Sequence, residues 1–138
     1  MRKIDRFVFD ANTWVSVFLL SESSVSAKAY YKAKGLGEIV HSEETLSEFV
    51  DVFVRPKFDR YLSLNKRLII IEDLKAFVRV VPITSTIKAC RDPKDDKYLE
   101  LAVSSESSLI VTGDKDLLVL HPFQGVQIMT PADFLNKS

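Results

Sequence analysis

The sequence predicts an α/β protein, a three-layer α/β/α sandwich around a central, mainly parallel sheet of roughly five strands. Two observations carry this prediction. Short apolar runs of strand length alternate with longer segments of helical periodicity along most of the chain, which favours a parallel sheet covered by helices. The length of 138 residues suits a single domain spanning 1–138, and such a chain buries about 70% of its unfolded surface, enough to fold without disulfide or metal.

The first predicted element is a short buried strand over residues 7–9, an apolar run that stops at Asp10. An apolar stretch over residues 12–20 then predicts a helix. After a polar break, residues 25–34 have the composition of a second helix, which Gly35 and Gly37 close.

A brief predicted strand over residues 38–40 leads into an amphipathic helix. Ser42 is a candidate N-cap, and two glutamates in the first turn complement the helix dipole. Pro56 ends or bends this helix. Its apolar residues recur at i, i+3, i+4 and i+7, namely Leu46, Phe49, Val50 and Phe53.

The second half of the chain continues the alternation. Apolar residues recur at helical spacing over residues 63–78, and the polar segment 91–95 precedes another helix. After the last strand, Thr130 is a candidate N-cap followed by proline, which opens a short terminal helix. The predicted strands of this half are residues 80–83, 109–112 and 126–129.

Charge and composition narrow the classes of function. Nineteen basic and nineteen acidic side chains give a formal net charge of zero, which weighs against a protein that coats nucleic acid non-specifically. We expect no signal peptide and no membrane-spanning segment, because no apolar run is long enough. Cys90 is the single cysteine, so an internal disulfide is excluded and a reducing, cytoplasmic location is expected.

Carboxylates cluster at strand ends and helix starts in the predicted topology. Taken singly, each is more often a cap or turn residue, but the carboxyl ends of parallel strands share one crevice. Two carboxylates about 5 Å apart repel by roughly 3 kcal/mol at an effective dielectric near 20, and a divalent cation with oxygen ligands removes that cost. The sequence therefore predicts metal-assisted phosphoryl chemistry. The acids concerned are Asp10, Asp96, Asp114 and Asp116.

Other catalytic schemes fit the sequence less well. His41 and His121 have no partners at zinc spacing, and Cys90 has no evident base, so we expect all three to be structural. A haloacid-dehalogenase-type phosphatase needs an acid where this chain has Asn12. A response-regulator receiver needs an acid pair after the first strand, whereas the pair here comes late in the chain.

Several segments together resemble a PIN domain, the metal-dependent ribonuclease fold of VapC-type toxins of toxin–antitoxin systems. The interval from Asp96 to Asp114 is similar to the family's spacing between its helix-start acid and its strand-end acid. The resemblance covers nearly the whole chain. It rests on residues 7–18, 42–53, 91–102, 110–118 and 128–135.

The resemblance implies an endoribonuclease that hydrolyses RNA phosphodiesters with Mg²⁺ or Mn²⁺. The residues implied in catalysis are Asp10, Glu48, Asp96 and Asp114, and the implied metal ligands are Asp10, Asp96, Asp114 and Asp116. Asn12 and Thr112 match polar positions that orient the carboxylates. Glu44 competes with Glu48, and Asp92 and Asp95 compete with Asp96, so these alternatives stay open.

The resemblance also implies partners. A small antitoxin protein and a homodimer are expected from the family, and the apolar run Ile69–Ile71 exceeds what one helix face buries. A scaffold that has lost activity and serves as an interaction module is the alternative. The basic stretch 55–68 interleaves cations with aromatics, so Arg55 and Arg60 are candidates for RNA binding, although a solvated loop gives the same pattern.

Overall fold

The computed structural model describes residues 4–137, which form a five-stranded, all-parallel sheet with helices. The strand order is β3-β2-β1-β4-β5, so β1 is central. This arrangement confirms the predicted fold class. The strands are β1 (Asp5–Phe9), β2 (Gly37–His41), β3 (Arg79–Val80), β4 (Leu109–Val111) and β5 (Gln127–Met129). The helices are α1 (Ala11–Leu19), α2 (Val25–Leu36), α3 (Glu43–Phe53), α4 (Leu64–Phe77), α5 (Asp96–Ser104), α6 (Lys115–Leu118) and α7 (Pro131–Asn136).

The central strand β1 contributes to two hydrophobic cores because alternate residues of a strand point to opposite faces. Phe7 and Phe9 pack in a core with residues of α1, α2, α3, α4 and α7. Val8 packs in the other core with residues of α5 and α6. All three side chains are buried, which explains the uninterrupted apolar run in the sequence. Burial on both faces fixes β1, and therefore the position of Asp10 at its end.

Side-chain caps fix where several helices begin. Ser42 accepts from the Thr45 amide while the Thr45 hydroxyl accepts from the Ser42 amide, a reciprocal capping box at the start of α3. Thr130 caps α7 by accepting from the Asp133 amide, as the sequence predicts. Asp10 caps α1 in the same way. The predicted apolar stripe of α3 packs on the core, with Phe49 and Phe53 fully buried.

Two elements differ from the sequence-based prediction. The strand predicted over residues 80–83 is only Arg79–Val80, because the partner strand ends at His41 and Pro82 has no amide to donate. The Val81 amide makes the last bond of this pair, to the His41 carbonyl. Helix α6 was not predicted, because four residues are too few to show helical periodicity.

Helix α4 lies where a helix was predicted over residues 63–78, but its buried face is different. Ile71 and Leu74 are buried together with Arg67, whereas the stripe residues Leu64 and Leu68 are exposed. The Arg67 guanidinium takes the place of an apolar side chain on the buried face, which shifts the expected stripe.

Glycine at position 37 is required by the close approach of β1 and β2. A Cβ built at Gly37 would lie 2.0 Å from the Asp5 carbonyl oxygen. The two residues are opposite each other in the register of the parallel pair. Any side chain here would therefore push the two strands apart.

Candidate metal centre

The parallel pairing of β1 with β4 brings Asp10 close to the segment that contains Asp114. The register aligns Phe9 with Val111, so Asp10 and Thr112 follow neighbouring strand ends. The Thr112 hydroxyl donates to Asp10 Oδ2 at 2.5 Å and accepts from the Asp114 amide at 3.0 Å. Thr112 is fully buried. One hydroxyl therefore connects the two strand ends directly.

Asp10 is a buried carboxylate, and each of its two oxygens accepts a hydrogen bond. Its Oδ1 accepts from the Thr13 amide at 3.0 Å, while Oδ2 accepts from Thr112. Burial raises the pKa of Asp10, and the charge of Asp114 raises it further, against the hydrogen bonds from Thr112 and Thr13 that lower it. Asp10 therefore lies within the electrostatic field of the later acids.

Three half-buried carboxylates form the acidic cluster of the site. Asp95, Asp114 and Asp116 each offer one oxygen, and these oxygens lie within 4.8 Å of one another. The Asp116 amide donates to Asp114 Oδ1 at 2.9 Å, which fixes the turn that brings the last two acids together. Three oxygens at this separation suit a hard divalent cation such as Mg²⁺.

The electrostatics of the cluster show crowding of like charge. The pKa of Asp95 is raised to about 7 by burial, by the charge of Asp114 and by a hydrogen bond with Asp114. The charges of Asp92 and Glu48 raise it further. A carboxyl group in this setting holds a proton at neutral pH or requires a cation. The donor set therefore fits the divalent metal that the sequence predicts.

Asp96 does not belong to this cluster, which corrects its predicted placement beside Asp114. The Asp96 carboxylate is buried and accepts from the amides of Ala89 (3.1 Å) and Cys90 (2.8 Å). These bonds lower its pKa, although burial opposes them. Asp95 precedes α5 without using its side chain as a cap, so its carboxylate is free to face Asp114. Asp95, which the sequence leaves open as an alternative to Asp96, is thus the acid that lies with Asp114 and Asp116.

The other acids that the sequence leaves open, Glu44, Glu48 and Asp92, have different environments in the structure. Glu48 accepts from the Tyr98 hydroxyl and pairs with Lys97. Glu44 lies in the grooves beside the site, and no hydrogen bond of its side chain occurs within residues 4–137. Asp92 accepts from the Lys94 amide at 3.0 Å and caps a 3₁₀ turn over Pro93–Asp95.

Tyr98 connects α3 to the start of α1. Its hydroxyl accepts from the Ala11 amide at 3.1 Å and donates to Glu48. The side chain is buried, and burial together with Glu48 raises the pKa of the phenol. Tyr98 is not among the site residues that the sequence predicts. The signal in the sequence is a tyrosine on an apolar helix face. A buried tyrosine hydroxyl needs a hydrogen-bond partner, so such a residue is expected to contact a polar group.

The predicted supporting residues have different environments. Asn12 is exposed in the first turn of α1, and within the described residues its side chain forms no hydrogen bond to a carboxylate. Thr13 contacts Asp10 instead. Thr112 forms the bonds described above. An unpredicted cation, Arg91, lies beside the cluster, with Nε 3.3 Å from Asp116 Oδ1.

The basic stretch 55–68 divides into a buried part and an exposed part. Arg67 is fully buried, pairs with Asp59, and donates to the carbonyls of Phe53, Arg55 and Leu62, so it is not one of the exposed cations of this stretch. Arg55 is exposed and lines a groove that also contains Glu48 and Lys97. Arg60 is exposed and lies over the Tyr61 ring.

The histidines and the cysteine have structural environments. His41 is buried, its Nδ1 lies 3.0 Å from the Thr45 hydroxyl, and burial lowers its pKa to about 4. His121 Nδ1 accepts from the Ile128 amide at 2.8 Å. Cys90 is half-buried, and burial together with Asp96 raises the pKa of its thiol to about 12. A thiol with a raised pKa is a poor nucleophile.

Fold and site together define an α/β protein with a carboxylate cluster at the carboxyl edge of a parallel sheet. Comparison with known proteins assigns the class. The PIN domain family model matches residues 6–116. The chain belongs to the PIN domain family, as its resemblance predicts. PIN domains are generally nucleases that use divalent metals, and the family indicates RNA binding.

Two further proteins are similar to this chain. The uncharacterized protein MJ1680 of Methanocaldococcus jannaschii is 30% identical over 150 residues, which cover 99% of this chain and 94% of that protein. The crystal structure of PAE2754 from Pyrobaculum aerophilum is similar with a TM-score of 0.60 at 14% identity, covering 96% of this chain and 88% of that chain. The latter likeness supports the fold. Within residues 4–137, no helix has the length and apolarity needed to cross a membrane.

Proposed function

We propose that this protein is a metal-dependent endoribonuclease. The observation that carries the proposal is the cluster of Asp95, Asp114 and Asp116, with one oxygen from each within 4.8 Å, in a chain of the PIN domain family. Neighbouring carboxylates repel one another, so this arrangement is costly for a fold that does not use it. The alternative is a catalytically inactive scaffold, which could hold the same cation without cleaving RNA.

The three clustered carboxylates would hold Mg²⁺ or Mn²⁺, with Asp10 beside them. A bound metal ion lowers the pKa of water and stabilises negative charge on a phosphate. Asp10 is held by Thr112 and Thr13, so its carboxylate keeps a fixed direction. We assign Glu48 a positioning part in catalysis, because its carboxylate is bound by Tyr98 and Lys97.

RNA cleavage by Asp114→Asn and Asp95→Asn tests the proposal. We expect each variant to lose cleavage of a labelled RNA by more than about a hundredfold, because replacing a residue that only supports a metal ligand already costs about 10–100-fold. Asp73→Asn, an exposed acid on α4 outside the cluster, is the matched control and should cleave like the wild type. EDTA should abolish cleavage, and Mg²⁺ or Mn²⁺ should restore it.

Metal binding without cleavage would support the inactive scaffold instead. Isothermal titration with Mn²⁺ together with the cleavage assay separates the two hypotheses, because both proteins would bind metal but only the nuclease would cleave RNA. Cleavage that persists unchanged in Asp114→Asn would overturn both the site and the proposal.

The biological setting that we propose is the toxin of a VapC-like toxin–antitoxin pair in the cytoplasm, regulated by a small antitoxin. This part rests on family membership. Expression of the wild type should arrest cell growth, whereas expression of Asp114→Asn should not. We also propose a homodimer, for which the exposed Leu64, Leu68 and Ile69 of α4 are the candidate contact. Sedimentation of the wild type and Ile69→Lys tests it.

A further inference from the structure

Arg91 has a long, exposed side chain that lies at the edge of the acidic cluster. Its Nε lies 3.3 Å from Asp116 Oδ1, and its Nη2 donates to Asp116 Oδ2 at 3.4 Å. The Arg91 side chain is 86% exposed, whereas that of Asp116 is 25% exposed. The guanidinium thus covers one acid of the cluster from the solvent side. Its Nη1 group is left without a partner among residues 4–137.

The position of Arg91 is fixed by the chain segment before it. Residues 81–90, which we call the strap, run without regular structure alongside α5. Three α5 side chains at i, i+4 and i+8 accept from strap amides. Asp96 binds the amides of Ala89 and Cys90, Glu100 binds that of Ile87, and Ser104 binds that of Thr84.

The last of these bonds lies directly before Arg91. Asp96 fixes the Cys90 amide at 2.8 Å, so the backbone before Arg91 is held, while the Arg91 side chain is exposed and contacts Asp116. Asp96 therefore serves the site indirectly, by placing a cation beside it. This gives a reason for a buried acid next to Asp95 that does not itself join the cluster.

The Arg91–Asp116 contact is easily exchanged. Exposed ion pairs contribute little to stability, because solvent screens them and ordering a long side chain costs entropy. The two long contacts of 3.3 Å and 3.4 Å fit such a weak pair. A phosphate offers the same two-oxygen geometry to the guanidinium fork. A metal ion bound to Asp116 would compete with Arg91 for the Asp116 carboxylate. The Arg91 guanidinium would then be available to bind a phosphate.

We propose that Arg91 is a phosphate-binding residue of the acidic site, paired with Asp116 when no cation is bound and released to a substrate phosphate when one is. The inference rests on the proposed function, because it assumes a nucleic-acid strand at this site. The released guanidinium would contact a phosphate next to the one being cleaved, and it takes no part in proton transfer.

Metal affinity supplies the first test. Replacing Arg91 by Met removes a competing positive charge, so the Mn²⁺ dissociation constant should fall about threefold in isothermal titration. Arg79→Met is the matched control, since Arg79 is an exposed cation whose 3.5 Å ion pair is with Glu38, which is not part of the acidic cluster. It should leave Mn²⁺ affinity unchanged. Weaker Mn²⁺ binding by Arg91→Met would show that Arg91 orients Asp116, which overturns the proposal.

Binding of a labelled single-stranded RNA supplies the second test. The measurement uses the Asp10→Asn background, which is expected to bind without cleaving and keeps the three cluster carboxylates. With Mn²⁺, Arg91→Met should reduce the slope of log affinity on log salt by about 0.7, the value of one lost phosphate contact. In EDTA the substitution should reduce the slope by less, because Asp116 then competes with phosphate for Arg91. An equal slope under both conditions would overturn the proposal.

Steady-state cleavage separates this inference from the proposed function. In the otherwise wild-type protein, Arg91→Met should raise KM about tenfold and leave kcat within about twofold, whereas Arg91→Lys should recover part of the loss. If the wild type cleaves RNA and KM does not change, the inference fails alone. If the wild type cleaves no RNA but both binding tests succeed, the proposed reaction fails and the phosphate site stands.

Discussion

Adjacent acids at positions 95 and 96 should respond in opposite ways to the same substitution. Asp95→Asn removes a carboxyl group whose ionisation is opposed by burial and by the charge of Asp114, in a cluster whose oxygens lie within 4.8 Å. Coulomb's law at an effective dielectric near 20 gives about 3 kcal/mol for such a pair, and solvent screening of these half-exposed groups reduces it to about 1 kcal/mol. We therefore expect the metal-free variant to be more stable than the wild type by about that amount, and to bind Mn²⁺ at least about tenfold more weakly.

Asp96→Asn should instead destabilise the fold and keep metal affinity. The substitution weakens two charge-assisted bonds, to the amides of Ala89 and Cys90, which together contribute about 1–3 kcal/mol. Its Mn²⁺ dissociation constant should stay within about threefold of the wild type, since the cluster is intact.

Urea unfolding in EDTA measures the stabilities, and isothermal titration with Mn²⁺ measures the affinities. The reasoning would be refuted if Asp96→Asn abolished Mn²⁺ binding while Asp95→Asn left it unchanged. That result would return Asp96 to the ligand set implied by the family resemblance.

Three other predictions follow from the contacts. In EDTA, stability should fall as pH rises from about 4 to about 7, because the folded pKa of Asp95 lies above its unfolded value near 3.9; urea unfolding should show this dependence reduced in Asp95→Asn. Tyr98→Phe should cost about 1–3 kcal/mol in the same assay, because the Ala11 amide and Glu48 lose a buried partner. Gly37→Ala should destabilise the protein by at least about 2 kcal/mol, seen as a lower melting temperature, because its Cβ would clash with Asp5. A Cβ at Gly35 meets no atom within 4 Å, so Gly35→Ala should be neutral or stabilising.

The sequence is most informative where local patterns and burial agree. The run over residues 7–9 predicts the central strand because both of its faces are buried, and Ser42 and Thr130 predict helix starts because caps act over three residues. Asp10 and Asp114 are placed at one edge because parallel topology alone aligns strand ends.

The features of the site that the sequence does not predict depend on contacts between residues far apart in the chain. The choice between Asp95 and Asp96 is made by the amides of the strap, whose path along α5 has no periodic signal. Arg67 has the composition of a surface cation, yet carbonyls of residues 53, 55 and 62 make its burial favourable. The Tyr98–Glu48 contact spans 50 residues, so spacing does not reveal it.

The hydrogen bond between Thr112 and Asp10 joins residues 102 positions apart in the chain. A contact of this range requires the closure of a large loop, which has an entropic cost. The acidic site is therefore complete only when β1 and β4 are paired. A cation that needs the assembled site stabilises the native state more than the folding transition state, so Mn²⁺ should slow unfolding and leave the refolding rate nearly unchanged. The lifetime of the native protein, rather than its speed of formation, is then the quantity under metal control.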